Sequence, residues 1–186
     1  MTKLYISEFP GLGETDQSDS VAGVPVPSTV DQRIDTTATT GAINVLGAIT
    51  PGAAYVNGTY PNVPLTGGTG SGAKANITVA GGAVTAVTLT ARGSGYTAAD
   101  TLSASNTNLG GSGAGFSIPV TSITIRSAAF QASTKWVEME SDSICSVAHG
   151  ADMAAVATTS NMRMAANDRV LRRVNPGDYV TAVTNT

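Results

Sequence analysis

The chain has one cysteine, one histidine and one tryptophan, and aromatic residues make up only 5% of it. With Cys145 alone, no intramolecular disulfide can form. With His149 alone, there is little for a metal site or a histidine-based proton relay. Charge is scarce and uneven: residues 41–124 carry three charged side chains, Lys74, Arg92 and Asp100, and the flanks hold the other 20 of 23. A stretch so poor in charge, His and Cys has few groups for acid–base or nucleophilic catalysis. The net charge of −3 argues against a sequence-independent nucleic-acid binder, which needs a basic face to displace counterions. No segment approaches the roughly 20 apolar residues of a membrane span. The opening Met1-Thr2-Lys3-Leu4-Tyr5-Ile6-Ser7-Glu8 lacks an apolar run of signal-peptide kind, so synthesis in a reducing cytoplasm is expected.

Glycine and small β-compatible residues take the place of charge. Sixteen of the 21 glycines fall within residues 41–124. Hydrophobic residues reach 41%, so the expected core is built from Val, Ile, Leu and Ala. The composition shifts define two domains: a discontinuous base, 1–40 plus 125–186, and an inserted antiparallel β-module, 41–124. No amphipathic helix of three turns is legible, and the fold expected is all-β, with a β-sandwich or jelly-roll-like base.

In the base, Leu4-Tyr5-Ile6-Ser7-Glu8-Phe9 reads as a strand stopped by Pro10-Gly11, and residues 11–23 as a polar loop. Val24-Pro25-Val26-Pro27 reads as an extended edge. Trp136-Val137-Glu138-Met139-Glu140 and Ile144-Cys145-Ser146-Val147-Ala148 alternate as strands around a Ser141-Asp142-Ser143 turn. Arg169-Val170-Leu171-Arg172-Arg173-Val174 and Tyr179-Val180-Thr181-Ala182-Val183 flank Pro176-Gly177, the central pair of a type II turn, and predict a hairpin. In the insert, Ala42-Ile43-Asn44-Val45-Leu46 reads as a strand. The Gly81-Gly82 pair joins two β-rich runs as a second hairpin, with Val84, Ala86, Thr88 and Thr90 on one face and Thr85, Val87, Leu89 and Ala91 on the other. Gly67-Gly68-Thr69-Gly70-Ser71-Gly72-Ala73 is echoed by Gly110-Gly111-Ser112-Gly113-Ala114-Gly115-Phe116, each ahead of a strand.

Each chemical motif has a plainer reading. Gly68 to Lys74 fails the phosphate-loop pattern, because Ala73 separates glycine from lysine and no helix follows. His149 reads as a turn residue, without the serine and carboxylate geometry of a triad despite Asp152 nearby. Cys145 reads as a buried thiol. Glu138, Glu140 and Asp142 share a strand face, read as solvated rather than as a cation site. Glu138 and Glu140, about 7 Å apart at Cα by the strand rise, are the one close Glu pair available to a hydrolase. Trp136 reads as core. Arg169, Arg172 and Arg173 read as a solvated or inter-subunit face. No catalytic, cofactor-binding or metal-binding residue is assigned, and neither an enzyme nor a cofactor is expected.

Two stretches carry a resemblance. Asn57-Gly58-Thr59-Tyr60-Pro61-Asn62-Val63-Pro64-Leu65-Thr66-Gly67-Gly68-Thr69-Gly70-Ser71-Gly72-Ala73, with Val84-Thr85-Ala86-Val87-Thr88 and Gly93-Ser94-Gly95-Tyr96-Thr97-Ala98-Ala99-Asp100-Thr101-Leu102, resembles a glycine-rich β-module of tailed-phage virion proteins, including tail fibres. In the flanks, Lys3-Leu4-Tyr5-Ile6-Ser7-Glu8-Phe9, Ser127-Ala128-Ala129-Phe130, Asp142-Ser143-Ile144-Cys145-Ser146-Val147, Arg163-Met164-Ala165-Ala166-Asn167 and Val183-Thr184-Asn185-Thr186 resemble small phage proteins that decorate heads. The likeness implies a bacteriophage virion component, made in the host cytoplasm and carried on the head surface. Its implied partners are the major capsid protein and further copies of itself, as a trimer or other symmetric cluster, with no nucleic acid or membrane. The insert is expected to project outward or meet neighbouring copies, which would cover its strand edges. The alternative is a tail-associated adhesin that binds host glycans through Tyr55, Tyr60, Tyr96 and Thr/Asn-rich loops.

Overall fold

The computed structural model describes residues 2–10, 12–13, 24–25, 28 and 30–185. Strands take 58% of the chain and helix 2%, so the protein is all-β. In chain order the strands are β1 (Lys3–Phe9), β2 (Leu12–Gly13), β3 (Val24–Pro25), β4 (Val30–Asp35), β5 (Ala42–Leu46), β6 (Thr50–Ala53), β7 (Gly58–Thr66) and β8 (Ser71–Ala80). They continue as β9 (Ala83–Ser94), β10 (Thr101–Ala104), β11 (Ala114–Thr124), β12 (Trp136–Ser141), β13 (Cys145–Gly150), β14 (Met162–Met164), β15 (Arg169–Arg173) and β16 (Tyr179–Thr184). A 3-10 turn at Asn106–Leu109 precedes β11. The polar loop expected over 11–23 lies outside the described residues except at Leu12–Gly13, which pairs with Val24–Pro25. Val26 and Pro27 of the expected edge also lie outside them.

The chain divides into two compact units, Met1–Ala38 with Ile125–Thr186, and Thr39–Thr124. In the first, a four-stranded antiparallel sheet runs β15-β12-β1-β4 and a three-stranded one runs β14-β13-β16. Alternation sends Leu4 and Ile6 of β1 and Val137 and Met139 of β12 inward. There they join Ile34, Cys145, Val147, Met164, Val180 and Ala182 in one core fed by both sheets, the two-layer build of a sandwich. Arginines on edge strand β15 and Asp31, Arg33 and Asp35 on edge strand β4 discourage pairing with another chain.

The predicted C-terminal hairpin is not one. Gly177 makes the turn at φ 81°, but β15 pairs with β12 and β16 with β13, so the chain crosses between sheets. The same crossing separates β12 from β13. Local alternation encodes a strand and its buried face but not its partner, and here the shared core sets both sheet changes.

The second unit is a seven-stranded sheet, β5-β11-β10-β7-β8-β9 with β6 also on β11. Gly81 (φ 63°) and Gly82 (φ 78°) form the hairpin between β8 and β9, where two consecutive positive φ values require glycine. The faces of β9 differ from strict alternation. Its pairing with β8 shifts register at Thr85 and again at Thr90, so Val84, Val87, Leu89 and Arg92 all turn toward the core. Each extra residue flips the side-chain face and bends the strand. The bending brings the sheet's ends together. Gly41 and Tyr96 exchange backbone bonds of 2.8 and 2.9 Å, and the Tyr55 amide reaches the Gly82 carbonyl at 3.0 Å. The sheet is thus nearly closed on itself, like a barrel.

Candidate functional site

The strand carboxylates share one cation. Arg169 bridges them, 2.8 Å from Glu140 and 3.7 Å from Glu138, with 65% of its side chain exposed. An ion pair so open to solvent contributes little. Asp142 instead accepts the Lys3 backbone amide at 2.7 Å. Among the described residues no three His, Cys, Asp or Glu converge as metal ligands. His149 is exposed and lies within β13, paired with Val180, rather than in a turn. Cys145 is fully buried, and burial raises its thiol pKa; its sulfur sits 3.2 Å from the Ser141 hydroxyl. Trp136 is half-buried.

The glycine-rich loop at 67–72 already holds an anion, supplied by the chain. Asp100 accepts the Thr69 amide (3.0 Å) and hydroxyl (2.8 Å) and the Thr97 amide and hydroxyl (both 2.9 Å). These donors, the two backbone amides foremost, lower its pKa to about 2. The loop's donors thus face an internal carboxylate instead of a phosphate.

Glu8 and Arg126, the latter with its side chain 8% exposed, were not singled out by sequence reasoning. Glu8 is 0% exposed and accepts the Gln131 amide (3.0 Å), the Thr134 hydroxyl (2.5 Å) and the Gln32 side-chain amide (2.5 Å). Arg126 pairs with Asp152 and lies 4.1 Å over the Tyr179 ring. Both arrangements join separate segments of the base, and neither opens onto a described cavity.

The tyrosines divide sharply. Tyr96 is 0% and Tyr55 5% exposed, both inside the core of the second unit. The Tyr55 hydroxyl accepts the Phe116 amide at 3.0 Å, and burial raises the pKa of Tyr96. Neither can stack on a ligand, which corrects their assignment to a glycan-binding surface. In a unit of small side chains these rings serve as core filling.

Tyr60 lines a cavity. A cleft of about 240 Å³ is lined by Tyr60, Pro61, Asn62, Val63, Pro64 and Asn108. It forms where β7 bulges: between Tyr60 and Val63 the pairing with β8 slips, and Asn62 adopts φ 52°. Asn76 on β8 takes over the ladder's role by accepting the Asn62 amide at 2.9 Å.

Compared with protein-family models, curated proteins and solved structures, the chain matches none.

The cleft therefore has to be read from its own chemistry. Its lining contains no ionisable group except the Tyr60 phenol, whose hydroxyl donates to the Val56 carbonyl at 2.8 Å. The lining is a tyrosine, two prolines, a valine and two asparagines, without the convergent acid and base groups that bond cleavage needs.

Proposed function

We propose that this chain is a structural component of a tailed-phage virion, serving as a capsid decoration protein that binds the major capsid protein and clusters with copies of itself. The observation that carries the reading is the nesting of two separately cored β-units along residues that resemble two kinds of virion protein. The charge-poor second unit fits this role. Its Thr, Ala and Val faces can pack between symmetric copies without burying unpaired charges. The buried polar groups described above all serve the fold, consistent with a protein that assembles rather than catalyses.

The test is a cryo-electron reconstruction of intact particles, with the protein's copy number counted by quantitative mass spectrometry. Hundreds of copies on the icosahedral head support decoration. A handful of copies at the tail moves the assignment to an adhesin, for which Tyr60 and its cleft are the remaining aromatic feature. Absence from particles, together with failure of the purified protein to bind expanded capsids, defeats both.

A further inference from the structure

We infer that the cleft at the β7 bulge is a binding site for one neutral sugar residue, with the Tyr60 ring as the stacking platform and the Asn62 and Asn108 amides as hydrogen-bonding partners. The inference goes beyond decoration and does not depend on where in a particle the chain sits.

Three features support it. First, the ring is held in place before any ligand arrives. Its hydroxyl is tied to the Val56 carbonyl, and a Cβ placed on Gly110 would come within 2.8 Å of that hydroxyl and 2.5 Å of the Val56 side chain. Gly110, at φ 88°, closes the 3-10 turn that carries Asn108, so its lack of a side chain lets the turn approach the ring. A fixed platform spares the ligand much of the ordering cost of binding.

Second, the polar groups are available. Among the described residues the Asn62 and Asn108 side-chain amides make no intramolecular hydrogen bond, although the Asn62 backbone is anchored by Asn76. Each amide offers a donor and an acceptor, the pairing that vicinal hydroxyls require. The left-handed conformation of Asn62 within a bulge is the kind of local backbone cost found at binding sites.

Third, size and charge narrow the ligand. At about 240 Å³ the cleft falls below the roughly 300–1,000 Å³ of pockets for drug-sized ligands, which fits a single ring rather than a buried oligomer. No cation lines it to recognise a sulfate, phosphate or uronate, and no carboxylate lines it to recognise an amine. A ligand with one C–H face and a rim of hydroxyls matches an aromatic face beside two amides.

The experiment is saturation-transfer NMR on the full chain with the methyl glycosides of glucose, galactose, mannose, rhamnose and N-acetylglucosamine, and with methyl glucuronide as the charged control. At least one neutral glycoside should show transfer at millimolar concentration. Binding should weaken about tenfold in Tyr60→Ala and several-fold in Asn108→Ala, while Tyr60→Phe, which keeps the ring but loses its tether to the Val56 carbonyl, should weaken it less than Tyr60→Ala. Asn108 is exposed on the turn, so its variant keeps the test valid should Tyr60→Ala misfold. Absence of transfer from every neutral glycoside overturns the inference. So does preference for the glucuronide, or binding unchanged in both Tyr60→Ala and Asn108→Ala. Particle location is measured separately, so failure here leaves the decoration reading standing, and the reverse holds.

Discussion

Arg92 on β9 donates through Nη1 to the Ile43 carbonyl at 2.7 Å and the Asn44 carbonyl at 3.1 Å, both on β5. These strands end the path of the seven-stranded sheet, so the guanidinium supplies donors along the seam where the backbone ladder runs out. It reaches them because the bulges in β9 turn it inward, leaving it 6% exposed. Arg92→Ala leaves the seam carbonyls without these donors. It should destabilise the second unit by about 2–3 kcal/mol, the scale of a lost charge-assisted bond plus an unsatisfied buried acceptor. Arg92→Lys, with one compact ammonium in place of a planar fork, should recover only part of that. Chemical denaturation followed by tyrosine absorbance checks both, and an unchanged midpoint for Arg92→Ala would show that the seam closes without it.

Glu8 plays the corresponding part in the base, where its carboxylate gathers donors from β4 and from the segment leading into β12. Gln32 extends the link by accepting the Ala128 amide at 2.7 Å. Glu8→Ala strands three donors at a buried position and should cost about 3 kcal/mol or more. Thr134→Val removes one donor and keeps the shape, so about 1 kcal/mol is expected. Trp136 fluorescence during denaturant unfolding reads both variants, because the tryptophan lies in the same unit.

Much of this architecture was legible in the sequence. The all-β class, strands β1, β5, β12 and β13, the Gly81-Gly82 turn and the buried thiol of Cys145 all follow from alternation and turn chemistry. Glu8 carried a signal too, since it continues the inward series of Leu4 and Ile6. The misses share a cause. Bulges at Thr85 and Thr90 leave no mark in a run of small β-formers, so strict alternation puts Val84 and Val87 on opposite faces. Sheet changes at 141–145 and 173–179 depend on a core assembled from distant residues. Tyr55 and Tyr96 look like surface aromatics beside glycine loops, and become core because the sheet closes around them. The cleft at Tyr60 needs the bulge and the Asn106–Leu109 turn brought together, which no local pattern announces.

Asp100 should make the second unit sensitive to acid. Its folded pKa of about 2 lies below the roughly 3.9 of an unfolded aspartate. A depressed carboxylate pKa gives stability that is complete above the unfolded value and lost as pH falls through the folded one. The unit should therefore hold its melting temperature down to about pH 5 and lose stability progressively toward pH 2. Asp100→Asn should lower the melting temperature at pH 7 and flatten that decline, because its amide cannot accept all four donors from Thr69 and Thr97. Parallel decline of wild type and variant across this range would assign the acid sensitivity elsewhere.

The two units have separate cores: one cluster draws on residues from Ile43 to Ile123, the other on Leu4 to Ile34 and Ile125 to Ala182. Removal of 41–124, with a short Gly/Ser turn in its place, should leave a folded base. Two reporters lie within that base. Trp136 should show a single cooperative unfolding transition, and Cys145, buried with its thiol pKa raised, should resist a thiol reagent until that transition. Labelling at the rate of an unfolded peptide in native buffer, or a broad transition, would mean that the base needs the insert to fold. Slow labelling with a sharp transition would make the insert a replaceable module.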